Sequence, residues 1–327
     1  MKLSVQKNSV LVYEQEEKSV LKDGYALFHV KACGVCGSDI PRILDGKAYY
    51  YPIVLGHEFS GVVAQSANEE LIGKRAAVFP ILPCGKCEFC EREEYANCVN
   101  YNYYGSRCDG GMQDYLLVKE ENLVFLPDNV TYAAGAMVEP CAVTLHAIKK
   151  AHITEDDTVL VYGAGTIGLI AAMWARYFGA KKVFVSDIDE KKLEFASSLG
   201  FEKITPETNP TVVIEASGAG SALNDGLSRI KAFGRVIIVG NSSKDVVIDS
   251  VNYSHILRKQ LTLCGSWNSN YKTNDNDWKE VVEAISKGYI EPERLVTHRI
   301  GLDEFERLLK LIDGREEFFQ KIMMESK

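Results

Sequence analysis

Thr158-Val159-Leu160-Val161-Tyr162-Gly163-Ala164-Gly165-Thr166-Ile167-Gly168 joins a β-branched, apolar run of strand length to a Gly-x-Gly-x-x-Gly turn. Beyond the turn, Ile167, Leu169, Ile170, Trp174 and Phe178 recur three or four apart, so strand, turn and helix follow as one unit. The three glycines have separate jobs. Gly163 allows the tight bend, Gly165 lets a pyrophosphate come close to the backbone, and Gly168 lets the helix pack against the strand. The helix N-terminus, opening at Thr166 and Ile167, offers free N–H groups and a partial positive charge to phosphates. A second strand-like run, Lys182-Val183-Phe184-Val185-Ser186, ends at Asp187, about twenty residues past the glycines. An acid there accepts hydrogen bonds from ribose hydroxyls and repels a 2′-phosphate. The pattern implies dinucleotide binding, with NAD preferred over NADP. Asp189 reads as the cap of the following helix, and Lys192 on that helix and Gly240 at the end of a later strand are further candidate cofactor contacts.

Working outward, residues from about 131 to 267 alternate strands with helical patterns, which predicts a parallel sheet with helices on both faces. After the first two units come Lys203-Ile204-Thr205, Thr211 to Gly218, Gly234 to Gly240 and Leu261 to Gly265. Only Pro206 to Pro210 separate the third strand from the fourth, too few residues for a crossover helix. A direct, helix-free connection and a locally trimmed sheet are expected. Residues 1 to about 130 are β-rich, with strand-like runs at Ala26 to Lys31, Arg75 to Phe79 and Tyr115 to Val118. The tail from about 268 adds helices at Trp278 to Lys287 and Asp303 to Asp313, then a strand at Lys321 to Met324.

A chain of 327 residues has room for two domains, and its formal net charge of -8 argues against general affinity for nucleic acid or anionic membranes. The first residues lack an apolar signal core, and no segment approaches the apolar length of a membrane span, so a cytoplasmic location is expected. Nine cysteines, an odd count without an export signal, favour metal ligation over disulfides.

Their spacing supports this. Cys84, Cys87, Cys90 and Cys98 form C-x2-C-x2-C-x7-C, which matches a closed tetrahedral zinc cage in a loop, 84–98, with little hydrophobic core of its own. A nucleic-acid-binding zinc ribbon is disfavoured, because Glu88, Glu91, Glu93 and Glu94 outnumber Lys86 and Arg92 there. A second set is more dispersed. Cys33-Gly34-Val35-Cys36-Gly37-Ser38-Asp39 precedes Gly56-His57-Glu58 and, far downstream, Met137-Val138-Glu139-Pro140. With a thiolate, the histidine and carboxylates make a set that can hold zinc with one position open.

In this order, Cys-Gly-Ser-Asp, Gly-His-Glu, the four-cysteine loop, Glu-Pro and the glycine turn resemble the zinc-dependent medium-chain dehydrogenase/reductase family of polyol dehydrogenase type, over essentially the whole chain. The resemblance implies an α/β protein: a GroES-like β-rich catalytic domain (1–130, rejoined by 268–327) beside a doubly wound Rossmann domain (131–267). It implies two zinc ions per subunit. Cys36, His57 and Glu139 would hold the catalytic one, with Glu58 as a fourth or exchanging ligand, and Cys33 would be a packed free thiol. It further implies a homodimer or homotetramer in which the strand around Leu261 pairs between subunits.

The activity implied is oxidation of a secondary alcohol, with zinc stabilising the alkoxide and hydride passing to NAD. Ser38 matches the hydroxyl that takes the alcohol proton. Classical alcohol dehydrogenases carry a histidine three residues beyond that hydroxyl; this chain has Pro41. The implied substrate is a polyol phosphate, galactitol 1-phosphate being favoured, which requires a cationic anchor. Arg107, Arg42 and Lys47 flank the relevant motifs and are the candidates. Alternatives are a free polyol such as sorbitol, a vicinal diol or L-threonine as substrate, and, in a different class, a catalytically silent dinucleotide sensor or a zinc-free quinone reductase.

Overall fold

Residues 158–162 form the expected strand, with Val159, Leu160 and Val161 fully buried. In the computed structural model, which describes residues 1–15, 19–313 and 317–326, this strand lies inside a six-stranded, all-parallel sheet. The order across the sheet is Glu202–Lys203, Lys182–Ser186, Thr158–Tyr162, Val212–Glu215, Arg235–Ile238 and Thr262–Gly265. The chain winds outward from its first strand, returns, and winds out on the other side. That reversal is the doubly wound pattern.

The turn is built as its glycines require. Gly163 has φ +95, a conformation that a side chain would strain, and a Cβ on Gly168 would stand 1.7 Å from the Gly163 carbonyl oxygen. Gly165 precedes the helix Thr166–Tyr177 and has nothing within 4 Å of where a Cβ would be, leaving room for a ligand to approach. Leu169, Ile170 and Trp174 are buried, and the Trp174 indole donates to the Cys141 carbonyl at 3.0 Å. Phe178, just past the helix, is partly exposed, so the apolar stripe ends there.

The third strand is shorter and earlier than its sequence suggests, Glu202–Lys203 instead of 203–205. The link after it is helix-free, as expected, but it does not join neighbours. It carries the chain from the sheet edge past two strands to Val212. Three strand spacings of about 4.8 Å are easily covered by eight residues reaching about 3.3 Å each. Thr205 and Thr208 close a turn within it, Thr208 N–H donating to the Thr205 carbonyl at 3.1 Å. Thr211 then pins its end, its hydroxyl donating to the buried Asp157 carboxylate at 2.6 Å.

This sheet belongs to a unit of residues 140–269; the other unit comprises 1–139 and 270–327. The first unit therefore runs to Glu139 instead of ending near 130. It includes the short helix Tyr132–Ala136, whose Tyr132 carbonyl accepts the Ser60 hydroxyl at 2.5 Å. At the centre of its seven-stranded sheet is the ten-residue strand Tyr25–Gly34. Its first part alternates buried and half-exposed side chains, paired with Tyr115–Lys119. Its last three residues are buried on both faces, between Glu58–Gln65 and Lys321–Glu325. Glu58 pairs with Gly34 at this end, and Cys36 and His57 lie close to that pair in sequence. No described helix is long and apolar enough to cross a membrane.

Because Gly168 sits against the Gly163 carbonyl, Gly168→Ala is expected to cost about 1–3 kcal/mol in urea unfolding and to weaken NADH binding measured by fluorescence. An alanine variant with unchanged midpoint and affinity would show that the close approach is not needed.

Candidate metal and cofactor sites

The four cysteines of the 84–98 loop converge. Their sulfurs all lie within 4.8 Å of one another, and three separations are 3.9 Å (Cys84–Cys90), 3.5 Å (Cys87–Cys90) and 3.6 Å (Cys90–Cys98). A tetrahedral zinc bound at about 2.3 Å to each sulfur needs sulfurs about 3.8 Å apart, so the donor set fits a zinc ion. Backbone N–H groups of Val99 and Cys90 draw the Cys87 thiol below its usual range, while burial and its thiol neighbours push Cys90 up. The loop thus favours thiolates but needs a cation to hold them all ionised.

The second set also converges. Donor atoms of Cys36, His57 and Glu58 lie within 4.8 Å of one another, with His57 and Glu58 buried. Glu139 lies outside that cluster, but its charge acts on His57, and its Oε1 accepts the Tyr103 hydroxyl at 3.1 Å. Burial raises the Glu139 carboxyl. Burial alone would lower the His57 imidazole, but Asp39 and Cys36 push it up to about 10. Several acidic groups packed around one imidazole, whose buried Nδ1 has no hydrogen-bond partner, make a pocket suited to a divalent cation. Cys33 is a buried thiol outside the donor cluster.

Three residues not among the expected donors complete this pocket: Asp39, which closes the Cys-Gly-Ser-Asp motif, and Tyr103 and Lys321, which lie outside the motifs. Asp39, fully buried, accepts the Cys36 backbone N–H at 3.1 Å and the Arg42 guanidinium at 3.1 Å, and its Oδ1 lies 3.6 Å from His57 Nδ1. A carboxylate behind a metal-binding imidazole fixes its orientation. Its place three residues after Cys36 was the available signal. Tyr103 braces Glu139 and meets the His57 ring edge-on at 5.7 Å between centroids. Lys321, 2% exposed, is ion-paired with Glu58 and donates to the Val35 carbonyl at 3.0 Å. Gly34 makes room for that pair, since a Cβ there would stand 2.3 Å from Glu58 Oε2. Neither Tyr103 nor Lys321 has a local sequence signal.

Ser38 is exposed beside Cys36, and its oxygen accepts from Arg42 at 3.3 Å. Pro41 occupies the first turn of the short helix Ile40–Leu44, where its missing N–H costs nothing.

In the other unit, Asp187 follows its strand directly. Its carboxylate accepts the Ala164 N–H at 2.7 Å and the Asp189 N–H at 2.9 Å, which ties it to the glycine turn. Asp189 caps the helix Glu190–Ser198, as its position suggests, and Lys192 is half-buried on that helix. Gly240 packs so closely on Gly218 that a Cβ would stand 2.2 Å from the Gly218 nitrogen. Glu215, a residue the motifs do not flag, holds this region: its buried carboxylate accepts N–H bonds from Ser217 and Gly218 at 2.8 and 2.9 Å.

Residues 22–128 match the alcohol dehydrogenase GroES-like domain and residues 166–287 the zinc-binding dehydrogenase domain. Galactitol 1-phosphate 5-dehydrogenase of Escherichia coli (strain K12) is 33% identical over 301 residues, covering 86% of this chain and 87% of that protein. The chain belongs to the zinc-dependent medium-chain dehydrogenases. Sorbitol dehydrogenase of Bombyx mori is 31% identical over 89% of both chains, and D-arabitol-phosphate dehydrogenase of Enterococcus avium is 31% identical over 93% of this chain and 90% of its own. Among solved structures, galactitol-1-phosphate dehydrogenase from Escherichia coli superposes with a TM-score of 0.91, at 30% identity over the whole of both chains. The alcohol dehydrogenase rspB from Escherichia coli CFT073, complexed with NADH, has a TM-score of 0.90 at 27% identity over 99% of this chain and 98% of its own. This medium-chain dehydrogenase is accordingly an oxidoreductase of the zinc alcohol and polyol type.

Lys321 is buried against Glu58, so Lys321→Met should leave an uncompensated carboxylate and cost about 3–5 kcal/mol in the chelator-treated protein. Adding Glu58→Gln should restore part of the loss. Equal unfolding midpoints for wild type and Lys321→Met would rule out the pairing as a structural element.

Proposed function

We propose that this dehydrogenase oxidises a secondary alcohol of a polyol phosphate, galactitol 1-phosphate before others, to a ketose phosphate with hydride passing to NAD. The observation that carries the reading is the convergence of Cys36, His57 and Glu58 on one buried pocket bordered by Glu139, in a chain 33% identical to galactitol 1-phosphate 5-dehydrogenase. Cys36, His57 and Glu139 would hold the catalytic zinc, Glu58 serving as exchanging ligand, and Cys84, Cys87, Cys90 and Cys98 the structural one. Bound zinc supplies Lewis acidity that makes an alcohol hydroxyl easier to ionise, and bound nicotinamide accepts the hydride.

The protein's own residues do the rest. Asp39 orients His57, and Lys321 holds Glu58 by an ion pair close to the other donors. Ser38 Oγ, beside Cys36, receives the alcohol proton. Its exit runs by a route other than residue 41, because Pro41 has no side-chain donor or acceptor. In the nucleotide unit, Gly163, Gly165 and Gly168 shape the phosphate turn, and Asp187 disfavours a 2′-phosphate and thus NADP.

The proposed partner is a second copy of the chain. Thr262–Gly265 is an edge strand, and the Thr262 and Ser266 N–H groups point inward, at 3.0 and 2.9 Å from their acceptors, so those of Leu263 and Gly265 point outward. Leu257 and Trp267, 63% and 57% exposed, flank the strand in sequence. Gly265→Pro removes an outward N–H at a position with nothing within 4 Å of a Cβ, and should weaken self-association in sedimentation velocity by about 10-fold or more. Unaltered association would exclude this edge.

Elemental analysis should find two zinc ions per chain, falling to one in His57→Ala with a loss of turnover of about 1,000-fold or more. A panel of galactitol 1-phosphate, galactitol, sorbitol, butanediol and L-threonine, followed by NADH absorbance, tests the substrate. Faster oxidation of sorbitol than of any phosphorylated polyol would replace this reading with that of a free-polyol enzyme.

A further inference from the structure

Of the three cations that flank the site motifs, two are already neutralised. Arg42 is spent on Asp39 and Ser38, and Lys47 lies 3.3 Å from the Asp45 carboxylate on the surface. Arg107 differs. Its guanidinium carbon sits 4.3 Å from the Tyr101 ring centroid and 5.3 Å from that of Tyr49, and Nη1 donates to the Tyr101 carbonyl at 3.3 Å. No described carboxylate lies within ion-pair distance of it. A guanidinium carries five N–H donors in one plane. Two ring contacts and one carbonyl restrain the group but leave most of those donors available at its edge.

The position of Arg107 is fixed relative to the metal donors. Its backbone N–H donates to the Tyr103 carbonyl at 2.9 Å, and Gly111 N–H to the Gly56 carbonyl at 2.7 Å. Cβ atoms on Gly105 and Gly110 would stand 2.4 and 2.1 Å from Gly56 atoms, so this turn lies directly on the residue that precedes His57. The rings are continuous as well: Tyr101 meets Tyr103 at 6.3 Å, and Tyr103 meets His57 at 5.7 Å.

We propose that Arg107, held by Tyr101 and Tyr49, is the specificity-determining anchor for the phosphate of a phosphorylated polyol whose alcohol end lies at the Cys36, His57 and Glu58 cluster. The inference rests on the proposed polyol phosphate substrate and assigns its charged end to one side chain. In a terminally phosphorylated hexitol the charge lies several bonds from the reacting carbon, so its partner belongs beside the metal donors, not among them. A planar, aromatic-backed guanidinium suits a phosphate because it offers two parallel N–H bonds, with less side-chain freedom lost on binding than for a free lysine. The chain carries a net charge of -8, which makes an unpaired arginine at this place all the more distinct.

The test is the ratio of kcat/KM for galactitol 1-phosphate to that for galactitol, measured in the zinc- and NAD-loaded enzyme. Wild type should favour the phosphorylated substrate. In Arg107→Ala the ratio should fall about 10- to 100-fold, mainly through KM, as expected for loss of a charge-assisted hydrogen-bonded contact. Inhibition by inorganic phosphate should weaken in parallel. Arg107→Lys should recover only part of the ratio, since it restores charge without the planar fork. Zinc content and the NADH dissociation constant report whether each variant is folded, and Arg107→Gln supplies a second neutral side chain should the alanine variant fail to fold. A wild type with a strong preference that Arg107→Ala and Arg107→Gln both retain overturns the anchor while leaving the substrate reading intact. A wild type without any preference for the phosphorylated substrate overturns both.

Discussion

Crowding of acidic groups around one imidazole is the constraint on which the catalytic unit depends. Cys36, Asp39, Glu58 and Glu139 act on a common buried volume with His57, and burial makes each charge expensive unless it is balanced. The protein supplies partial balance from Lys321 to Glu58 and from Arg42 to Asp39. A divalent cation would supply more. The surroundings follow from this need: glycine at position 34 where Glu58 and Lys321 require space, Tyr103 against Glu139, and a strand from the far end of the chain brought alongside Gly34.

The two candidate metal sites differ in their donors. Four thiols at near-tetrahedral separations would leave a bound ion no open position, which suits a site that holds a loop. The other combines three kinds of donor with a carboxylate already engaged by a lysine, which suits a site whose ligands exchange. An oxidoreductase that binds an alcohol through its oxygen needs the second kind, and hydrogen bonds from Arg42 tie the adjacent Ser38 and Asp39 into a single network.

Much of the nucleotide unit was legible because its information is local. Strand, turn and helix from Thr158 to Tyr177 occupy adjacent residues, and the glycines at 163 and 168 are demanded by backbone conformation and close approach within that same stretch. The boundaries were less legible. Glu202–Lys203 ends sooner than its β-branched neighbours suggest, because the chain must leave the sheet edge there to cross toward Val212. Gly240, a candidate cofactor contact, lies so close to Gly218 and Glu215 that its lack of a side chain already has a packing reason.

Local spacing by itself determined the four-cysteine cluster, the glycine turn, the acid at 187 and the family to which the chain belongs, since each depends on residues a few positions apart or on motifs in a fixed order. Tertiary structure decided which charges share a pocket. Lys321 and Glu58 are far apart in sequence and meet because their strands flank Tyr25–Gly34, while Tyr103 and Glu139, also distant, meet through a strand and a helix. The same is true of the three cations near the motifs: nothing in their spacing distinguishes them, whereas folding pairs Arg42 and Lys47 with carboxylates and sets Arg107 against two aromatic rings. Side-chain charge is written in the sequence, but whether a neighbour neutralises it is a property of distance in three dimensions.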